Sequence, residues 1–157
     1  MEINVLIEEG LEPSVDIEWL QQIVEKTLLA ENIPPNAEVS LVIVGQERIQ
    51  ELNREYRGKN RPTDVLSFSL IEQKENETEA FIGPPDGLNH LGEVIISYPQ
   101  AVLQADEHQH SIKKEMVILI IHGILHLLGY DHEQPEKAPT MVAREKEILN
   151  TLERELI

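Results

Sequence analysis

The sequence contains no cysteine, which removes disulfide staples and thiolate metal sites and leaves nothing arguing for export. It is also poor in basic residues: 13 Lys and Arg stand against 29 Asp and Glu, a formal charge of −16. Such an excess of acid argues against general affinity for polyanions, whether nucleic acid or an acidic membrane surface. Long hydrophobic runs are missing too. The longest, Met116 to Leu128, is too short to span a bilayer and contains two histidines. The start, Met1-Glu2-Ile3-Asn4-Val5, has neither the basic residues nor the long apolar core of a signal peptide. A soluble cytoplasmic protein without membrane association is therefore expected.

Hydrophobic residues make up 41% of the chain and charged residues 27%, values that exclude a mainly disordered polypeptide. With 157 residues, one domain spanning 1–157 is expected, large enough to build a core without staples. The basic residues are unevenly spread. Arg54, Arg57, Lys59 and Arg61 fall within eight residues opposed only by Glu55, a local charge of +3. Any anion-binding role belongs there, set against the plainer reading of a solvated loop.

Apolar periodicity gives the elements. Ile3, Val5 and Ile7 predict a short strand. Ser14 is positioned to cap a helix with Ile17, Leu20, Val24 and Leu28 on one face, ended by Ile33-Pro34-Pro35. Val39 to Val44, closed by Gly45, predicts a buried strand. Ile49, Leu52 and Tyr56 predict an amphipathic helix stopping at Gly58, and Val65 to Leu70 and Gly92 to Ser97 two more strands. Between them, Glu72 to His90 is acidic and then rich in turn residues, which predicts a solvated excursion. Pro99 suits a first helical turn with Val102 and Leu103 facing inward. Ser111 is placed to cap an apolar helix ending near Gly129, a residue suited to the left-handed position after a helix end. Pro139 opens a last helix with Met141, Ile148, Leu152 and Leu156 on one face. The class expected is α+β: a small mixed four-stranded sheet with about five helices.

The chemistry sits in His122-Gly123-Ile124-Leu125-His126-Leu127-Leu128-Gly129-Tyr130-Asp131-His132. On a helix, His122 and His126 lie one turn apart on the same face. Gly129 lets the chain turn back, so that His132 approaches from a third direction. Three neutral imidazoles suit Zn²⁺ and leave a fourth tetrahedral position open, as in catalytic sites. Left unpaired in so apolar a helix, they would carry a heavy desolvation cost. Asp131 either orients a ligand or caps the turn. A metal site using His108 and His110 is a further alternative, set against the plainer reading of solvated residues at a polar helix end. The spacing is that of the long metzincin protease motif, but the general-base glutamate that follows the first histidine there is replaced by Gly123. Peptide hydrolysis by that route is therefore disfavoured.

The block His122-Gly123-x-x-His126-Leu127-x-Gly129-Tyr130-Asp131-His132 resembles the signature of the bacterial YbeY-type endoribonucleases, also called rRNA maturation factors. Leu52-Asn53-x-x-Tyr56-Arg57-Gly58-Lys59-Asn60-x-Pro62-Thr63-Asp64-Val65-Leu66-Ser67-Phe68 and Leu91-Gly92-Glu93-Val94-Ile95-Ile96-Ser97 are similar to two further blocks of that family. Together they cover about Leu41 to Leu152. Asn60 and Glu93 depart from it by standing where aspartate is expected. The resemblance implies a metal-dependent, single-strand-specific endoribonuclease acting in maturation of the 3′ end of small-subunit ribosomal RNA and in ribosome quality control. It also implies one Zn²⁺ on His122, His126 and His132, a functional role for Arg57, and association with the small subunit and its assembly factors. Arg57 would hold a phosphate, with Arg54, Lys59 and Arg61 contributing RNA contacts. DNA is not an expected substrate. The alternatives are a metalloprotease-like hydrolase and a non-catalytic assembly factor that uses zinc for stability.

Overall fold

The structure, a computed structural model, describes residues 1–71 and 87–157. Most of the acidic excursion expected over Glu72 to His90 lies outside the described residues. Its last two residues are strand instead, since the strand expected from Gly92 starts at Asn89.

The chain runs β1 (Glu2–Ile7), α1 (Ile17–Ala30), β2 (Ala37–Val44), α2 (Gln46–Arg57), β3 (Val65–Ser69), β4 (Asn89–Ser97), α3 (Tyr98–Glu107), α4 (Ile112–Leu127) and α5 (Ala138–Leu156). The four strands form one mixed sheet in the order β1-β2-β4-β3. β2 pairs in parallel with both β1 and β4, whereas β3 runs antiparallel to β4. The α+β class, the mixed four-stranded sheet and the five helices among the described residues are those the sequence leads one to expect.

Alternation along β2 and β4 explains how the sheet is covered. Val39, Leu41 and Ile43, with Val94 and Ile96, point to the large core built from α1, α4 and α5. Val44 and Ile95 point the other way, to a smaller cluster with Ile49 and Leu52 of α2 and Leu66 of β3. Successive strand residues face opposite sides, so both faces need cover. α4, apolar on nearly every side, is the central helix, packing against α1, α3, α5 and strands β3 and β4. Ser111 caps it, accepting from the Lys114 N–H at 3.1 Å. Arg144 ties α5 to the end of α1 through Glu31 at 2.6 Å and through the Ala30 carbonyl.

Three local expectations fail for identifiable reasons. The residue preceding α1 is Asp16, while Ser14 turns away to Tyr98, whose hydroxyl accepts from the Ser14 N–H at 3.0 Å. Val102 and Leu103 are exposed, because α3 uses the small residues Ala101 and Ala105, four apart, as its buried face. In α2 the third inward residue is Asn53 rather than Tyr56. The Asn53 amide donates to the Arg61 carbonyl at 2.9 Å and so fastens the loop that follows. Among the described residues no helix is long and apolar enough to cross a membrane.

Candidate metal centre

His122 and His126 sit on the last turns of α4 and His132 on the segment that follows. Gly129, at φ +99°, adopts a backbone that side-chain-bearing residues rarely reach, and this reverses the chain past the helix end. One ligand atom from each imidazole falls within 4.8 Å of the other two. The ring centroids are 4.6, 4.7 and 5.2 Å apart, and His132 Nδ1 lies 2.7 Å from His126 Nε2. Three imidazoles converging in this way match the donor chemistry of a divalent borderline cation. Burial is less severe than expected: His122 and His126 are half-buried and His132 is exposed. The desolvation argument for a bound ion therefore weakens, and convergence of the donors carries the case.

Partial burial, then the charges of His122, His132 and Arg57, push the His126 imidazole down to about 4. At neutral pH it is unprotonated, with a lone pair to offer a metal. His122 is held differently: its Nδ1 lies 2.7 Å from Glu145 Oε1. That partner fixes the tautomer and leaves Nε2 as the nitrogen for a cation. Glu145 was not legible in the sequence, since it is one of several glutamates along the polar side of α5 and no spacing marks it out. Asp131 has the turn role that was one of its two readings: its Oδ1 accepts from the Glu133 N–H at 2.8 Å.

The triad opens onto a cavity of about 150 Å³ lined by Arg57, Thr63, Asp64, Val65 and Ser67 together with the three histidines. Of the four clustered basic residues, only Arg57 enters this wall; Arg54, Lys59 and Arg61 are exposed beyond it. Among the described residues none of the four forms an ion pair. Asp64 is the one carboxylate in the lining. Its Oδ1 accepts from the Val65 N–H at 2.8 Å, and its Oδ2 accepts from the Gln104 amide at 3.4 Å. This residue stands inside a recognised sequence block, yet nothing in the spacing marks it as facing the histidines.

Gly123 has a structural reason to be glycine. A Cβ there would lie 2.5 Å from Val94 Cγ1 and 3.3 Å from the Ser67 hydroxyl oxygen. Ser67 and Ser69, two apart on β3 and so on one face, donate to the carbonyls of Gly123 and Leu127 at 2.9 and 3.0 Å. The helix thus lies directly against the sheet at the position where metzincins carry glutamate, and a side chain there would meet the sheet.

Comparison with known proteins identifies the family. Residues 8–153 match the family model described as Endoribonuclease YbeY. A protein named Endoribonuclease YbeY from Dehalococcoides mccartyi is 53% identical over 137 residues, covering 85% of this chain and 80% of its own. Another of that name, from Geobacillus thermodenitrificans, is 45% identical over 152 residues, covering 95% and 94%. Among solved structures, the solution structure of a Thermotoga maritima protein superposes with a TM-score of 0.60 at 28% identity, covering 94% of this chain and 87% of that one.

Proposed function

The chain belongs to the Endoribonuclease YbeY family, and from that premise we propose that it cuts single-stranded RNA at the cavity shared by Arg57 and the three histidines, in maturation of the 3′ end of small-subunit ribosomal RNA in the cytoplasm. The observation that carries this reading is that the one basic side chain entering the cavity is set among three convergent imidazoles. A volume of about 150 Å³ suits a phosphodiester group with few waters, while the flanking nucleotides lie outside.

We assign Zn²⁺ to His122, His126 and His132, because neutral imidazoles favour that ion over the oxygen-seeking Mg²⁺ and Ca²⁺. When bound, the ion supplies Lewis acidity toward the scissile phosphate. The chain's own residues do the rest. Glu145 orients the His122 ring. Arg57 offers a planar fork of N–H donors to the non-bridging phosphate oxygens and counters the charge that grows on them in the transition state. Asp64, tied to Gln104, forms part of the cavity wall, and Asn53 holds the loop from which Lys59 and Arg61 reach RNA further along the strand. The acidic remainder of the surface repels RNA, so binding is confined to this edge. The small ribosomal subunit and its assembly factors are the partners this reading assigns.

The test is to incubate nuclease-free protein with a labelled single-stranded RNA and with the same strand in a duplex, each with and without chelator. Chelator-sensitive cleavage of the single strand alone is expected. Cleavage of neither strand, with zinc loss unfolding the domain, would favour a binding factor stabilised by metal. Chelator-sensitive hydrolysis of an unfolded protein substrate would favour a protease.

A further inference from the structure

A second cluster of metal-ligating side chains lies away from the triad, at the corner where α3 meets α4. Only residues 108–111 join the two helices. The His108 N–H donates to the Gln104 carbonyl at 2.9 Å and the His110 N–H to the Ala105 carbonyl at 3.0 Å. Between them Gln109 takes a left-handed φ of +56°, uncommon for a residue with a side chain. This tight reversal brings both imidazoles to one carboxylate on the first turn of α4, Glu115. His110 Nε2 lies 2.7 Å and His108 Nδ1 3.1 Å from the same oxygen, Glu115 Oε1. Both histidines, expected to be solvated at a polar helix end, are thus engaged with Glu115, although His108 keeps about half of its side chain in solvent.

We propose that His108, His110 and Glu115 form a second divalent-cation site, taking Zn²⁺ or a similar borderline ion and bracing the α3–α4 corner. The donor set is two imidazoles and one carboxylate, a combination that suits zinc in three-ligand sites. One ligand atom from each residue lies within 4.8 Å of the others, as in the triad. The His108 and His110 rings are 5.4 Å apart and inclined at 54°, close to the 5.2 Å and 55° of His122 and His132. Tetrahedral coordination at about 2.0–2.1 Å sets donor atoms roughly 3.3 Å apart. The two donor distances to Glu115 thus need to open by about 0.6 Å for His110 and about 0.2 Å for His108.

The carboxylate is built into this corner. Glu115 is 2% exposed, and its other oxygen accepts from the Gln104 amide at 3.1 Å, which orients Oε1 toward the imidazoles. An entry path exists because the His108 side chain is 54% exposed. The same Gln104 amide also donates to Asp64, so an ion here would stiffen a connection that ends in the wall of the Arg57 cavity.

This site stands or falls independently of RNA cleavage, so its test reads metal alone. Chelator-stripped protein is titrated with Zn²⁺ by calorimetry and by competition with a chromophoric chelator. The wild-type chain is compared with a His122→Ala/His126→Ala variant, in which the triad is disabled. Two equivalents for wild type and one for the double variant are expected. Adding His108→Ala or His110→Gln to the double variant should weaken the remaining equivalent by on the order of 10-fold or more, at least what loss of a ligand's hydrogen-bonding partner costs. Circular dichroism checks that each variant stays folded, and His108→Ala, at a largely exposed side chain, is the safer of the two. No saturable Zn²⁺ binding in the double variant, or binding untouched by both added substitutions, would overturn the proposal and leave Glu115 as a metal-free hydrogen-bond acceptor.

Discussion

Glu145 Oε1 lies 2.7 Å from His122 Nδ1, joining a glutamate of α5 to a histidine 23 residues earlier on α4. The contact sets which imidazole nitrogen is left for a cation. Replacing Glu145 with Gln or Ala should lower zinc affinity by roughly 10–100-fold, as loss of such partners typically does. Competition against a chelator of known affinity measures this, with circular dichroism to show that the fold is retained. Unchanged affinity would mean the contact does not orient a ligand.

Gly123 carries a second prediction, about packing. Gly123→Ala places a Cβ 2.5 Å from Val94 Cγ1, and such overpacking costs about 1–3 kcal/mol. The melting temperature should fall accordingly, and Gly123→Glu should fold poorly or not at all. Restoring the metzincin carboxylate therefore gains no peptidase activity. A stable Gly123→Glu protein would show that α4 can stand off the sheet.

Much of this centre is legible in the sequence alone. The i, i+4 histidines, the glycine exit and the Ser111 cap are local signals, and local hydrogen bonding and helical spacing suffice to place them. The strand cores were legible because Val39, Leu41 and Ile43 of β2, and Val94 and Ile96 of β4, recur at every second residue of short apolar runs. What escaped depends on contacts distant in sequence. Tyr98 draws Ser14 away from α1; Ala101 and Ala105 bury themselves because a neighbour comes close, leaving Val102 and Leu103 outside. Glu145 and Asp64 gain their roles only once α5 and β3 are laid beside α4. In sequence Glu115 is one more acid in a first helical turn; only the reversal at Gln109 brings two histidines to it.

Arg57 should separate from its neighbours in kinetics. It enters the cavity wall, whereas Lys59 and Arg61 remain outside. Arg57→Ala should slow single-turnover cleavage at saturating RNA by on the order of 10²-fold. Lys59→Ala and Arg61→Ala should mainly weaken binding, each lost phosphate contact reducing the log–log salt slope by roughly 0.7. Equal, purely binding-type defects in all three would remove the catalytic role of Arg57.

Glu115 predicts a pH effect on stability. Burial pushes its carboxyl up, but hydrogen bonds from His108, His110 and Gln104 outweigh this and hold it below the ordinary glutamate value of about 4.5. A folded value below the unfolded one contributes stability that is present above about pH 4.5 and lost as pH falls through the folded value. Glu115→Gln should therefore be less stable than wild type near neutrality, with a shallower decline in acid. Denaturant melts of metal-stripped protein from pH 7 to 3 check this, and parallel curves for the two proteins would contradict it.

The most direct test of the whole account joins metal to cleavage in one titration. Stripped, nuclease-free protein is mixed with a defined single-stranded RNA, and the single-turnover cleavage rate is followed as Zn²⁺ is added, with His126→Ala in parallel. The account predicts that the rate rises from near zero in step with occupancy of the triad, and that His126→Ala stays inactive at the same metal concentrations while remaining folded. Cleavage by stripped protein, or by His126→Ala at the wild-type rate, would contradict it.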